Sequence, residues 1–344
     1  MPIKHDTRSG KTYTIDELRE LMRSNPTFKE NVLNQKYYHP KTKDVLKRYF
    51  LGEAYSFNIK FDDLGSRSYD IKEDVIVNIH MQKTGGTHLE DRFKKDLQLP
   101  FKCQSKGRAC KCLNGQGNMW LFTPVFTGYA CGLHPDWTQL HRCIEDSFNK
   151  QEGKTRSRRY FYITQLRDPL ERYLSEYHHQ TTSGHWEESI IGCGVRDKPY
   201  WNDMRPCFVT KDWRGVSFSD FMACPFNLAT NRMTRMLADL VPTQCYSKYL
   251  DERQKKIRAE KWVDSAKQNI RNMEYFRLME RPEESDFLFA KVFDLHFKNK
   301  DRMIASGTTK LRMTENEFMK MIQLAELDIH IYLFAQDIFN HRLI

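Results

Sequence analysis

The groups best suited to chemistry lie together in His80-Met81-Gln82-Lys83-Thr84-Gly85-Gly86-Thr87. A lysine, two hydroxyls and two adjacent glycines, coming off a strand and opening a helix, make an anion cradle of backbone N–H groups. His80, Gln82, Lys83, Thr84, Gly85, Gly86 and Thr87 are therefore candidate ligand contacts, and the ligand expected is a phosphate. The spacing is not that of the nucleoside-triphosphate loop, because the lysine precedes the glycines, which argues against a kinase or ATPase. The plainer alternative is a tight strand-to-helix turn carrying an exposed lysine.

A second candidate is His134, which follows a short apolar stretch with glycines and precedes Pro135. Its place suits a strand end near the cradle, and an imidazole with an ordinary pKa near 6.5 suits proton abstraction at neutral pH. His80, in the cradle's own strand, is the rival base.

Elements must position these groups. Residues 74–80 form a short β-branched run expected to be a buried parallel strand, followed by a helix over 87–97. Residues 159–166 repeat the pattern, with a helix from Asp168 to about Gln180. There Asp168 is the N-cap, Pro169 the first helical position and Glu171 the partner in a capping box, with Leu170, Tyr173, Leu174 and Tyr177 on one stripe. Arg167 then sits at the strand's end and Ser175 about two turns into the helix. Strand, turn and helix, twice over, predict an α/β fold: P-loop-like, three-layered, with a central, mainly parallel sheet whose ligand lies at the carboxyl ends of its strands. The last third reads as helical over 225–240, 251–273 and 282–293. A final helix from Thr314, with Glu317 in a capping box, runs to about His341, and 276–279 is a possible short strand. Residues 1–70 read as an N-terminal arm with a helix over 14–22, and 71–344 as the main domain.

Composition bounds the partner. The chain of 344 residues has 55 Lys+Arg against 45 Asp+Glu and a net charge of +10, which favours an anionic partner without naming it. Residues 1–23 lack the apolar core of a signal peptide. The long charge-free run, 113–135, is too rich in glycine and polar residues to cross a membrane. Nine cysteines, mostly in polar, turn-rich surroundings and without C-x2-C pairs, point to disulfides and an oxidising compartment, with an odd thiol left over. No His/Asp/Glu pattern points to a metal.

The K-T-G-G-T loop, Arg167-Asp168-Pro169 with Arg172-Tyr173-Leu174-Ser175-Glu176, and Cys224-Pro225-Phe226-Asn227-Leu228-Ala229-Thr230-Asn231-Arg232 together resemble heparan sulfate 6-O-sulfotransferases, from about residue 74 to the C-terminal helices. The resemblance implies a sulfotransferase that uses 3′-phosphoadenosine 5′-phosphosulfate (PAPS), without a metal. The first loop would bind the 5′-phosphosulfate, Arg167 and Ser175 the 3′-phosphate, and Lys83 the charge on the leaving oxygen. His134, in a segment similar to the family's G-L-H-x-D-W, would be the general base.

The resemblance also implies heparan sulfate as partner rather than nucleic acid, with Arg108, Tyr129, His179 and Trp186 as acceptor contacts. Lys94, Lys95, Lys102, Lys106, Arg108 and Lys111 add a basic patch. Thr308 and Lys310 match the family's late PAPS loop loosely. Pro124 and Tyr129 replace the family's arginine and tryptophan, so acceptor preference is open to change. The Golgi lumen is the implied compartment, although family members carry an anchor not seen here. Two rivals remain: a carbohydrate sulfotransferase acting at another position, and a catalytically silent heparan-binding protein.

Overall fold

The computed structural model describes residues 11–64, 67–106, 109–124, 127–184, 186, 190–193, 196–199, 207, 212–247, 250–302 and 310–344. Arg108 and Thr308 lie outside the described residues. In chain order the helices are α1 (Ile15–Ser24), α2 (Pro26–Leu33), α3 (Thr42–Leu51), α4 (Gly86–Lys95), α5 (Trp137–Glu152), α6 (Pro169–Thr182), α7 (Phe218–Ala223), α8 (Arg232–Leu237), α9 (Glu252–Asn272), α10 (Pro282–Phe293), α11 (Glu315–Leu324) and α12 (Glu326–Leu343). The strands are β1 (Asp74–Ile79), β2 (Gln104–Lys106), β3 (Ala109–Lys111), β4 (Leu121–Phe122), β5 (Arg159–Leu166), β6 (Ile190–Cys193), β7 (Arg196–Pro199) and β8 (Arg277–Leu278).

The sheet is the predicted one. Its order is β4-β1-β5-β8 with every pairing parallel, and Ile76 of β1 faces Leu121 on one side and Phe161 on the other. Val75, Ile76, Val77 and Ile79 are fully buried because helices cover both faces, so the strand is apolar throughout instead of alternating. Two antiparallel ribbons, β2-β3 and β6-β7, stand outside it. One core cluster fills the space between the sheet and α4, α5, α8, α9, α10 and α12. A second joins α1–α3 to α6, α7 and α11 through Leu18, Met22, Phe28, Leu170, Tyr173, Leu174, Phe221 and Phe318.

The helix over 14–22 is α1, capped by a reciprocal Thr14–Glu17 box. Three expectations need correction. Asp168 caps α6 by accepting from the Leu170 and Glu171 amides, but Glu171 does not complete a capping box. Its carboxylate instead lies 3.5 Å from Arg19 and 3.7 Å from Arg167, while the Asp168 amide donates to Glu280 at 2.6 Å. Of the helix expected over 225–240 only α8 (Arg232–Leu237) forms, and turns take the place of its first half: Cys224 is disulfide-bonded to Cys207, and Asn231 sits at φ 45°, outside helical space. The last helix is broken at Ala325, where Asn231 bridges the gap by donating its amide to Leu324 O (2.8 Å) and accepting the Leu327 amide (2.9 Å).

Four disulfides form: Cys103–Cys112, Cys131–Cys143, Cys193–Cys245 and Cys207–Cys224. Cys110 is buried and lies outside these four bridges. Among the described residues, no helix is long and apolar enough to cross a membrane.

Candidate active site

β1 ends in a turn whose backbone only a few residue types tolerate. Lys83 (φ 66°) and Gly85 (φ 90°) both adopt the left-handed conformation, and the Thr84 hydroxyl closes the turn by donating to Met81 O at 3.1 Å. Gln165, from the neighbouring strand β5, donates to Thr84 O. α4 then starts at Gly86 with no side-chain cap, leaving its first amides for a ligand. Glycine at 86 is a steric requirement: a Cβ there would lie 2.5 Å from the His80 ring. Thr84 is buried and Thr87 exposed, so of the two hydroxyls only that of Thr87 faces solvent.

The second strand-to-helix turn meets the first. Arg167, 4% exposed, donates from Nη1 to Lys83 O at 3.2 Å, which places its guanidinium beside the cradle. Burial depresses its pKa, against the pull of Glu171, Glu280 and Asp168. Ser175 is buried further along α6. Burial likewise lowers the Lys83 pKa; Glu176 opposes this and Arg167 adds to it. Two cations thus converge at the carboxyl ends of β1 and β5, as an anion site requires.

His134 reaches the same place from another direction. Its Nδ1 lies 3.1 Å from the His80 carbonyl, and the two rings meet edge to face with centroids 5.0 Å apart. A carbonyl only accepts, so Nδ1 carries the hydrogen and Nε2 keeps its lone pair. Burial pushes the His134 pKa well below 6.5, and the nearby His80, Arg232 and His179 act in the same direction. The imidazole is therefore neutral at neutral pH, the state a base needs. The histidine is held from below: Asp136 caps α5 in a box with Gln139, and Cys131–Cys143 ties the preceding loop to that helix.

Beneath the site lies a buried charge cluster that spacing alone did not announce. Glu176 accepts from Arg172, from Arg232 Nε (3.1 Å) and from the Trp186 indole (3.0 Å), while Arg232 also donates to Gln82. Arg172 continues to Ala229 O at 2.6 Å and lies 3.8 Å from Asp328, which itself accepts the Thr234 amide at the start of α8. Burial alone would raise the Glu176 carboxyl, but Arg232 and Arg172 outweigh it and hold it below its ordinary value. Arg172 and Glu176 are four apart on α6, a signal in hand, but one that reads equally as a solvated surface pair.

The remaining candidates are placed unequally. His179 is half-buried, 3.2 Å from the Ser183 hydroxyl, and near enough to His134 to influence its charge. Tyr129 is 41% exposed at φ 61°. Lys310 is exposed. Trp186 corrects the expectation of a face open to a sugar: it is 1% exposed, packed against Trp213 and Phe221, with its N–H spent on Glu176. Sequence reasoning also missed Glu90, buried on α4, whose Oε1 lies 2.9 Å from His80 Nδ1. A cavity of about 820 Å³ between α3 and α12 shares with this region only the N-cap Asp168. No group of three or more His, Cys, Asp or Glu able to hold a metal ion occurs among the described residues.

A parallel α/β sheet with a glycine cradle at the end of its first strand defines an enzyme fold built to hold a phosphorylated or sulfated group. The description "Sulfotransferase family" matches residues 71–335, and the chain belongs to that family. It is similar to heparan-sulfate 6-O-sulfotransferase 1-B of Danio rerio, 38% identical over 84% of this chain and 72% of that protein. Heparan-sulfate 6-O-sulfotransferase 3-B of Danio rerio is 37% identical over 84% and 70%. Heparan-sulfate 6-O-sulfotransferase 1 of Homo sapiens is 35% identical over 86% and 71%.

Proposed function

We propose that this protein transfers the sulfuryl group of PAPS to the 6-hydroxyl of glucosamine residues in heparan sulfate. The observation that carries the reading is the meeting of the Lys83–Thr87 cradle, the Arg167 guanidinium and the neutral His134 imidazole at one end of the sheet. The relatives' names supply the acceptor and its position.

Sulfuryl transfer is an in-line displacement governed by positioning and charge, as phosphoryl transfer is. The amides at the start of α4 hold the 5′-phosphate, and Lys83 meets the negative charge that grows on its bridging oxygen as the S–O bond breaks. Arg167 and Ser175 take the 3′-phosphate. His134 Nε2 removes the proton from the attacking sugar hydroxyl, and its Nδ1–H stays on the His80 carbonyl throughout. Tyr129 and His179 remain acceptor contacts of this reading, as do Arg108 for the acceptor and Thr308 and Lys310 for the donor, carried by family resemblance. The same reading takes 1–70 as an arm and 71–344 as the transferase domain, and the family match beginning at 71 supports it. The disulfides suit an oxidising lumen, and this reading takes it to be that of the Golgi, as the family resemblance implies.

The test is transfer of labelled sulfate from PAPS to N-sulfated heparan followed by disaccharide analysis. Label at the 6-position supports the reading. Label elsewhere overturns the acceptor claim, and PAPS binding without transfer leaves a heparan-binding protein.

A further inference from the structure

Glu90 is 2% exposed, on the face of α4 turned toward β1, where an apolar side chain would ordinarily pack. A buried carboxylate is costly unless hydrogen-bonded, and Glu90 Oε1 accepts from His80 Nδ1 at 2.9 Å and from Asn78 Nδ2 at 3.3 Å. His80 in turn touches both halves of the site. Its ring lies so close to Gly86 that a Cβ there would be 2.6 Å from Nε2, and its carbonyl accepts from His134 Nδ1 at 3.1 Å.

We propose that Glu90 is a positioning residue which, through His80, fixes the ring beneath the donor cradle and the carbonyl that orients His134. A carboxylate offers only acceptors, so the His80 hydrogen stays on Nδ1 and Nε2 faces the turn at Gly86. A flip of the ring would put Cδ2 where Nδ1 stands and break the bond to Glu90. One buried side chain on the cradle's own helix thereby keeps the donor loop and the base in register. In its catalytic part this inference rests on the function proposed above.

The experiment uses wild type and Glu90→Gln, which keeps shape and burial but lets an amide present either oxygen or N–H to His80. Nitrogen-15 NMR of the histidine rings in the ligand-free protein reads the tautomer directly. Wild-type His80 protonated at Nδ1, with mixed or inverted nitrogens in the variant, is expected; wild-type His80 protonated at Nε2 overturns the proposal whether or not the variant folds. In the transfer assay Glu90→Gln should lower kcat roughly 10–100-fold, the range for a group that orients another, and should raise donor KM as well, because the donor loop and the base both rest on His80. In a double-mutant cycle with His80→Asn the two losses should fail to add; independent losses overturn the coupling. If the wild type transfers no sulfate, the tautomer measurement still decides Glu90's role, so the two readings fail separately.

Discussion

Replacing Glu176 by glutamine removes one charge from a cluster that folding has sealed from water. The carboxylate is fully buried and serves both Arg172 and Arg232, which are 0% and 3% exposed. Asp328 still lies 3.8 Å from Arg172, so one uncompensated guanidinium, that of Arg232, sets the magnitude. Breaking a buried ion pair from one side costs about 3–5 kcal/mol, because the surviving charge has neither water nor partner. At about 2–4 °C per kcal/mol for a large domain, Tm should fall by roughly 6–20 °C.

Arg232 also holds Gln82 in the cradle, so affinity for adenosine 3′,5′-bisphosphate, the product nucleotide of the proposed reaction, should fall with stability. Thermal unfolding by circular dichroism and titration calorimetry measure the two effects. The pH dependence adds a sign. A carboxyl held below its unfolded value of about 4.5 contributes stability that is complete above that value and lost as pH falls through the folded one, so wild type and variant should converge in acid. A Tm within about 2 °C of wild type, with affinity unchanged, would refute the assignment of Glu176 as the counter-charge.

His134→Ala should lower turnover by about 10²–10⁴-fold with donor affinity retained, measured by sulfate transfer and calorimetry. Because burial keeps His134 neutral well below pH 6.5, the acid limb of kcat/KM for the wild type should lie below that pH; a limb at or above it contradicts the site's geometry. Gly86→Ala should lose donor binding and about 1–3 kcal/mol of stability, since the added carbon would meet the His80 ring at 2.5 Å and that ring is pinned by Glu90. Burial lowers the His39 pKa to about 4 and that of His330 well below its ordinary value, so the unfolded chain binds more protons below pH 6.5 and stability falls with pH. Urea unfolding at pH 7 and pH 5 should show a smaller drop for His330→Phe than for wild type. Under non-reducing conditions a maleimide should label no thiol in the folded protein and one, Cys110, after denaturation.

The local chemistry was written in the chain. A β-branched run bounded by a Gly-Gly turn can hardly be other than a buried strand opening a helix, and β1, β5 and the start of α6 fall where the pattern puts them. Capping by Thr14, Asp251 and Thr314 is likewise a matter of a few adjacent residues. The Lys83 cradle and the place of Arg167 at a strand's end could be read from residue type and spacing, whereas the roles expected of Arg167 and His134 came from the resemblance to the family's motifs.

What the sequence could not decide is which distant groups share a dielectric. Glu171 is the right residue for a capping box, but Arg19 and Arg167 offer it opposite charge, and tertiary contact outweighs a local hydrogen bond. Trp186 has the face a sugar would stack on, and folding spends it on Phe221, Trp213 and Glu176. Asn231 begins one helix and bridges the break in another about ninety residues later, a role no window of adjacent residues contains. Glu90 and Glu176 look like surface acids on amphipathic helices until the sheet closes over them. Local backbone preferences act within a turn or two of chain, and the sequence displays them. Burial, which turns an ordinary carboxylate into the group that fixes a histidine or balances two arginines, exists only once the chain has packed.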